Sequence, residues 1–227
     1  MTHDWLALRL EAPLMAFGGE AVDQVGPTRD FPAASALVGL MANALGWHWR
    51  DAERHQHLQD RMVFASAILR EGDRLTDSQN AQLAANDRGW TTRGDAEGRD
   101  GGANTYKSPH RRRRDYIADG ALLVVLRLDP TDEPPTLNDL EAAFDRPARP
   151  LFIGRKSCLP SRPILAGRVM AASATEALRE LGGSGHRAAW PVGEGPAGDR
   201  ATDLTDRRNW LTGLHGGARR VIEGRLP

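Results

Sequence analysis

Cysteine is nearly absent. Cys158 is the one thiol in 227 residues, which excludes a disulfide framework and every multi-cysteine zinc module. Lysine is almost as scarce: two of the thirty Lys and Arg are lysine (Lys107 and Lys156), leaving 28 arginines. Long apolar runs are missing too, since the longest, Ala121 to Leu126, falls far short of the roughly 18–20 residues that cross a bilayer. There is no net charge either, because 30 basic groups face 30 acidic ones. That balance excludes a uniformly basic nucleic-acid coat and an acidic tail. The opening Met1-Thr2-His3-Asp4-Trp5 lacks the basic start and apolar core of a signal peptide. A cytoplasmic, reduced, globular protein with no membrane segment is expected, as one large domain or two small ones.

What is present is unevenly placed. Residues 88–116 carry eight basic groups against four acids, and residues 146–168 carry six basic groups and no acid. Two separated basic segments on an otherwise acidic chain point to a local polyanion site. Arginine, a planar five-donor fork, suits phosphate oxygens and base edges. A plain protein-interaction module would not need the acid-free stretch.

Periodicity gives a coarse fold. Trp5 to Leu10 alternates like a strand, and residues 14–32 read as a Gly- and Pro-rich loop. Pro32 opens a helix from Ala33 to Leu45 that Gly46 ends. A short polar helix over 51–60 and a buried strand over 62–69 follow. Residues 71–119 form a polar excursion with little periodicity. Ala121 to Leu128 is the clearest strand, and Thr136 can cap a helix from Leu137 to Phe144. A strand over 164–171 and a helix over 175–181 complete the order strand, helix, strand, strand, helix, strand. That is an α+β, ferredoxin-like pattern shared by RNA-recognition-motif (RRM) folds. It carries a long inserted arm at about 71–119, between the second and third strands. The expected division is a domain over 1–171 and a small C-terminal β-rich extension over 172–227, with a late strand at 219–223.

Several motifs have bland readings. Gly193-Glu194-Gly195-Pro196-Ala197-Gly198 matches G-x-G-x-x-G but lacks the strand before it and the helix after it, so it is loop glycine. His55 and His57 sit at i and i+2, which point to different sides of a helix, and no metal site or cofactor is expected. No Walker A sequence and no G-x-S-x-G elbow occur. Cys158 reads as a packed thiol.

Two segments carry chemistry. Tyr106 to Tyr116 contains Lys107, His110 and the run Arg111 to Arg114. A histidine can act as base on a ribose 2′-hydroxyl while a cation stabilises the pentavalent phosphate, the needs of a metal-independent ribonuclease with His110 and Lys107 as its catalytic pair. The same groups can instead hold phosphates and stack bases, with no catalysis. Leu151 to Cys158 places Arg155, Lys156 and Ser157 directly after Gly154, where a glycine lets backbone approach a phosphate.

Four stretches together resemble the CasD family, the crRNA 5′-handle-binding subunits of type I-E CRISPR Cascade complexes within the RAMP superfamily. Leu6 to Gly18 is similar to the family's opening strand and P-hydrophobic-x-[A]-aromatic-G turn. Pro27-Thr28-Arg29-Asp30-Phe31-Pro32, with Ser35, Leu37, Gly39 and Leu40, is similar to its P-T-x-x-F-P-x-x-S-x-L-x-G-L segment, although Asp30 stands where the family often has a basic residue. Lys107-Ser108 and Arg114-Asp115-Tyr116 sit where the family leads into its central strand. Leu151 to Cys158 closely matches its L-[FY]-[LI]-G-[RK]-[RK]-S-C signature. The likeness runs over about 5–171.

The resemblance implies a non-catalytic subunit that caps the crRNA 5′ handle and anchors one end of the Cascade backbone. Its arm would act as a thumb against the CasC backbone subunit. The CasA large subunit is a further partner, and target DNA is met only through the assembled complex. Implied RNA contacts are Phe17, Gly18, Thr28, Arg29 and Ser35 at the turn and the start of the first helix. Lys107, Arg111, Arg112 and Arg114 on the arm, and Gly154, Arg155, Lys156 and Ser157 in the signature, complete the set. A related type I-C RAMP protein does cut repeat RNA, which keeps the ribonuclease alternative in view.

Overall fold

The computed structural model describes residues 2–81 and 110–227. Its main sheet has seven strands in the order β10-β11-β9-β4-β7-β1-β8. These are β1 (His3–Glu11), β4 (Met62–Arg70), β7 (Ala121–Leu128), β8 (Leu165–Ala171), β9 (Arg187–Pro191), β10 (Arg200–Leu204) and β11 (Arg219–Arg225). Within it β1 lies between β7 and β8, β7 lies between β1 and β4, and each of these pairings is antiparallel.

Alternation along the strands builds two cores. Leu6, Leu8 and Leu10 of β1 and Leu122, Val124 and Leu126 of β7 face helices α1 (Ala34–Ala44), α2 (Ala52–Arg61) and α3 (Leu137–Asp145). Trp5, Ala7, Leu123 and Val125 face the other way, under α4 (Ala174–Gly182). A strand buried on both faces is apolar on both, which is why β7 reads as an unbroken run from Ala121 to Leu126, with Arg127 at the partly buried position that follows. Each large core side chain contributes about 1.5–3 kcal/mol. Alanines 7, 65 and 67 face Ala174 and Ala177, so α4 seats closely and closes the sheet face that an RRM leaves open. The α3 start is a capping box between Thr136 and Asp139, as its sequence suggested.

The C-terminal strands are not a separate β-subdomain. β9 pairs with β4 and β11 pairs with β9, so the extension continues the main sheet. The reason is apolar surface: Ala188, Trp190 and Val221 are buried and need the shared core to cover them.

A second sheet is centred on β6 (His110–Ala118). On one edge it pairs over nine positions with β5 (Asp73–Ala81). On the other it pairs with β2 (Leu14–Met15) and, in parallel, with β3 (Val25–Gly26). The arginine run is therefore a strand. Lys107 and the rest of the expected arm between β5 and β6 lie outside the described residues. Among the described residues no helix is long and apolar enough to cross a membrane.

Candidate nucleic-acid interface

The acid-free stretch 146–168 looks cationic in sequence, yet most of its charges are committed to the fold. Arg162 approaches Glu11 at 3.7 Å, and Arg168 pairs with Asp4 and with Glu141 at 3.1 Å. Arg149 donates to the carbonyls of Trp47 and Gly46 at 2.6 and 2.8 Å. Arg155 donates to the carbonyls of Asp115 and Gly26 at 2.9 and 3.0 Å and lies 4.5 Å over the Tyr116 ring. It fastens the signature loop to β3 and β6. Gly154 also has a structural role. At φ +91° its hydrogen faces the Ala16 carbonyl, and a Cβ there would lie 1.5 Å from that oxygen. The close backbone approach is to the chain itself. Within Leu151 to Cys158, Lys156 and Ser157 are the exposed polar side chains.

The turn before α1 divides in the same way. Phe17 is 2 % exposed, which leaves no ring face for a base, and its N–H donates to Thr28 Oγ1 at 2.9 Å. Thr28, also buried, donates on to the Arg29 carbonyl. Both hold the turn. Gly18 sits at φ +71°, where its carbonyl accepts from the Arg29 N–H at 2.9 Å.

The α1 N-terminus is not open to a phosphate. Asp206 Oδ2 accepts from the Ala34 N–H at 3.1 Å, and its carbonyl accepts from the Ser35 N–H at 3.1 Å. The carboxylate is also held by Arg219 Nη2 at 2.8 Å, and that guanidinium lies 4.1 Å over Phe64. A buried anion already complements the helix dipole. The helix dipole therefore favours Asp206, while Ser35 still faces the space beside it.

That space is a cleft of about 350 Å³. Gly18, Arg29 and Ser35 form one wall; Arg207, Arg208 and His215 from the C-terminal segment form the other. Arg29 reaches only the Thr205 carbonyl, at 3.5 Å. Arg208 lies 5.3 Å over Trp210, and the buried Nε of Arg207 has no hydrogen-bond partner. Among the described residues none of these three arginines has a carboxylate partner within 4.0 Å. The cleft thus carries three arginines without an ion-pair partner against one exposed acid, Glu20. Sequence reasoning missed Arg207, Arg208 and His215, because nothing near residue 207 signals that it folds against residue 29.

Beneath the turn, Asp30 ties the two sheets together through Arg74 of β5 and Arg187 of β9. Burial pushes the Asp30 carboxyl up, but the Arg187 hydrogen bond and the Arg74 charge outweigh it and hold it below its usual value. The acid at position 30 is therefore matched by two arginines.

On β6, Arg111, Arg112 and Arg113 are exposed and Arg114 is half-buried, donating to Gln79 Oε1 at 3.0 Å. Alternation sends Arg111 and Arg113 to one face and Arg112 and Arg114 to the other. The His110 backbone pairs with Ala81. The pairing of His110 with Lys107 lies outside the described residues.

The remaining singled-out groups have structural roles. His55 is buried, stacked on Trp210 at 4.7 Å and edge-on to Trp47, whereas His57 turns outward to Glu133 at 2.9 Å. Cys158 is fully buried. The 193–198 glycines form a loop whose Pro196 carbonyl accepts from Trp190 Nε1 at 3.1 Å. No cluster of three or more His, Cys, Asp or Glu suited to a metal ion occurs among the described residues.

A mixed α/β fold with an arginine-lined cleft is the setting in which the comparisons with known proteins stand. The sequence matches the family of CRISPR-associated proteins described as Cas_Cas5 over residues 5–222. The chain belongs to that Cas5 family. It is 28% identical over 178 residues to the CRISPR system Cascade subunit CasD of Escherichia coli (strain K12), covering 78% of this chain and 76% of that one. The fold is similar to a chain of a CRISPR RNA-guided surveillance complex, with a TM-score of 0.71 at 19% identity over 98% of this chain and 90% of that chain. It is also similar to a Cas protein crystal structure, with a TM-score of 0.64 at 24% identity over 98% and 95%.

Proposed function

We propose that this chain is a non-catalytic subunit of a type I-E Cascade complex that binds and caps the 5′ handle of the crRNA. The carrying observation is the cleft in which Arg29, Arg207 and Arg208 have no carboxylate partner. Arg29 and Arg207 are half-buried and Arg208 is exposed, and a phosphate in the cleft would supply the acceptors that the protein does not. The Cas5 family membership and the relative named as a Cascade subunit support the same reading.

In this reading the handle backbone crosses the cleft past Gly18, Arg29 and Ser35. Lys156 and Ser157 add contacts at one side, and Arg111, Arg112, Arg114 and Lys107 add contacts along β6 and the arm. The antiparallel order β8-β1-β7-β4, with α1 and α3 as crossovers, supports a ferredoxin-like RAMP core over 1–171. Residues 172–227 extend the same sheet, and 71–119 serve as the thumb. CasC and CasA are its protein partners, target DNA is met through the assembled complex, and the cytoplasm is its place of work.

The test uses purified protein and end-labelled CRISPR repeat RNA in EDTA, run in parallel on native and denaturing gels. A shifted, intact RNA is expected. A discrete cleavage product that disappears in His110→Ala would make the protein a metal-independent processing ribonuclease and overturn the non-catalytic reading.

A further inference from the structure

One carboxylate in the arginine cleft is out of place in a surface that only holds phosphates. Glu20 is exposed and lines the cleft on the same side as Gly18 and Arg29. It makes no ion pair with any described arginine, although Arg29, Arg207 and Arg208 line the same space. Its Oε1 accepts instead from the Thr205 hydroxyl at 2.8 Å, which fixes the carboxylate across the cleft from its own loop. The other acid of the cleft, Asp206, is 4 % exposed and already held by Arg219 and the α1 backbone. Glu20 is therefore the carboxylate of this cleft that a ligand can reach. Beside bound phosphates it repels unless the ligand donates a hydrogen bond to it. The backbone donor that recurs in RNA and is missing in DNA is the ribose 2′-hydroxyl.

We infer that Glu20, oriented by Thr205, reads ribose: it accepts a hydrogen bond from a 2′-hydroxyl whose flanking phosphate is held by Arg29, Arg207 and Arg208. The inference rests on the RNA-binding reading above and adds to it a residue that selects RNA over DNA. The cleft then divides its labour. The arginines supply affinity for either nucleic acid, and Glu20 penalises a strand that cannot donate.

The experiment is fluorescence anisotropy with labelled CRISPR repeat RNA, as in the test above, and the DNA of identical sequence. The full chain is compared with Glu20→Ala, Thr205→Val and Arg207→Ala, and melting temperatures confirm that each variant is folded. Wild-type protein should prefer RNA. Glu20→Ala should lose about tenfold in RNA affinity, as for one charge-assisted hydrogen bond. Its DNA affinity should hold or rise, so the preference disappears. Thr205→Val should shift the preference the same way by less, and Arg207→Ala should weaken RNA and DNA by the same factor. Glu20→Ala that leaves the preference intact, or weakens RNA and DNA equally, would overturn the inference while the RNA-binding reading stands. Wild-type protein that binds neither strand would overturn both.

Discussion

The stretch 146–168 and the cleft between residues 18–35 and 205–215 both concentrate arginine, but they use it oppositely. In the stretch, Arg149 and Arg155 donate to backbone carbonyls, and Arg162 and Arg168 meet acids from β1 and α3. In the cleft, Arg29, Arg207 and Arg208 meet a carbonyl, no hydrogen-bond partner at the buried Nε, and an indole ring. Charge counted along a sequence is a poor guide to charge on a surface, because the neutralising acid comes from a distant strand. A cation offers itself to a ligand only where folding leaves it without a protein acceptor.

The strongest way to break the contrast is at Asp206, which holds the C-terminal wall of the cleft against α1. Asp206→Ala removes a helix cap and leaves Arg219 beside Phe64 without its anion. We expect a loss of about 3 kcal/mol in urea unfolding, and weaker RNA binding with it. Arg155→Ala comes next. It leaves the Asp115 and Gly26 carbonyls without donors and should cost about 2 kcal/mol, roughly 4–8 °C in melting temperature. Its RNA affinity, corrected for the folded fraction, should not change; a large affinity loss at unchanged stability would return Arg155 to the phosphate site.

Two smaller effects sharpen the comparison further. The Asp30 carboxyl has a folded-state pKa below its unfolded value, so its contribution is present above the usual carboxylate range and fades as pH falls through that range. Asp30→Asn should flatten the acid limb of a stability–pH profile, and an unchanged limb would show that the Arg74 and Arg187 contacts contribute nothing. Lys156→Ala, which removes the exposed cation of the signature loop, should be the mildest change. Its binding slope against log salt should fall by no more than about 0.7, the share of one phosphate on a single strand, with stability unchanged.

Much of the fold was legible because its elements obey local rules. The strand expected over Ala121 to Leu128 appears with those bounds, and Thr136 caps α3 through Asp139. What escaped notice depends on contacts between distant residues. β6 carries four consecutive arginines, and a strand with solvent on much of its surface needs no apolar alternation. The tail has no core of its own to announce: one late strand at 219–223 was expected in a β-rich extension, and β9, β10 and β11 continue the main sheet. The site was half legible. Gly18, Arg29 and Ser35, singled out in the sequence, line the cleft, and Phe17, Thr28, Gly154 and Arg155 make internal contacts that hold the turn and the signature loop. The opposite wall had no signal, since its residues acquire meaning only when Asp206 closes onto α1.

The most direct test of the account compares RNA affinity across a salt series for Arg207→Ala/Arg208→Ala and for Arg155→Ala, with folded fractions measured alongside. The double variant should melt like the wild type, bind RNA at least about tenfold more weakly, and lose roughly 1.4 from its salt slope. Arg155→Ala should keep the wild-type slope. The reverse pattern, with an unchanged double variant and a flattened slope for Arg155→Ala, would place the RNA on the signature loop and contradict the account.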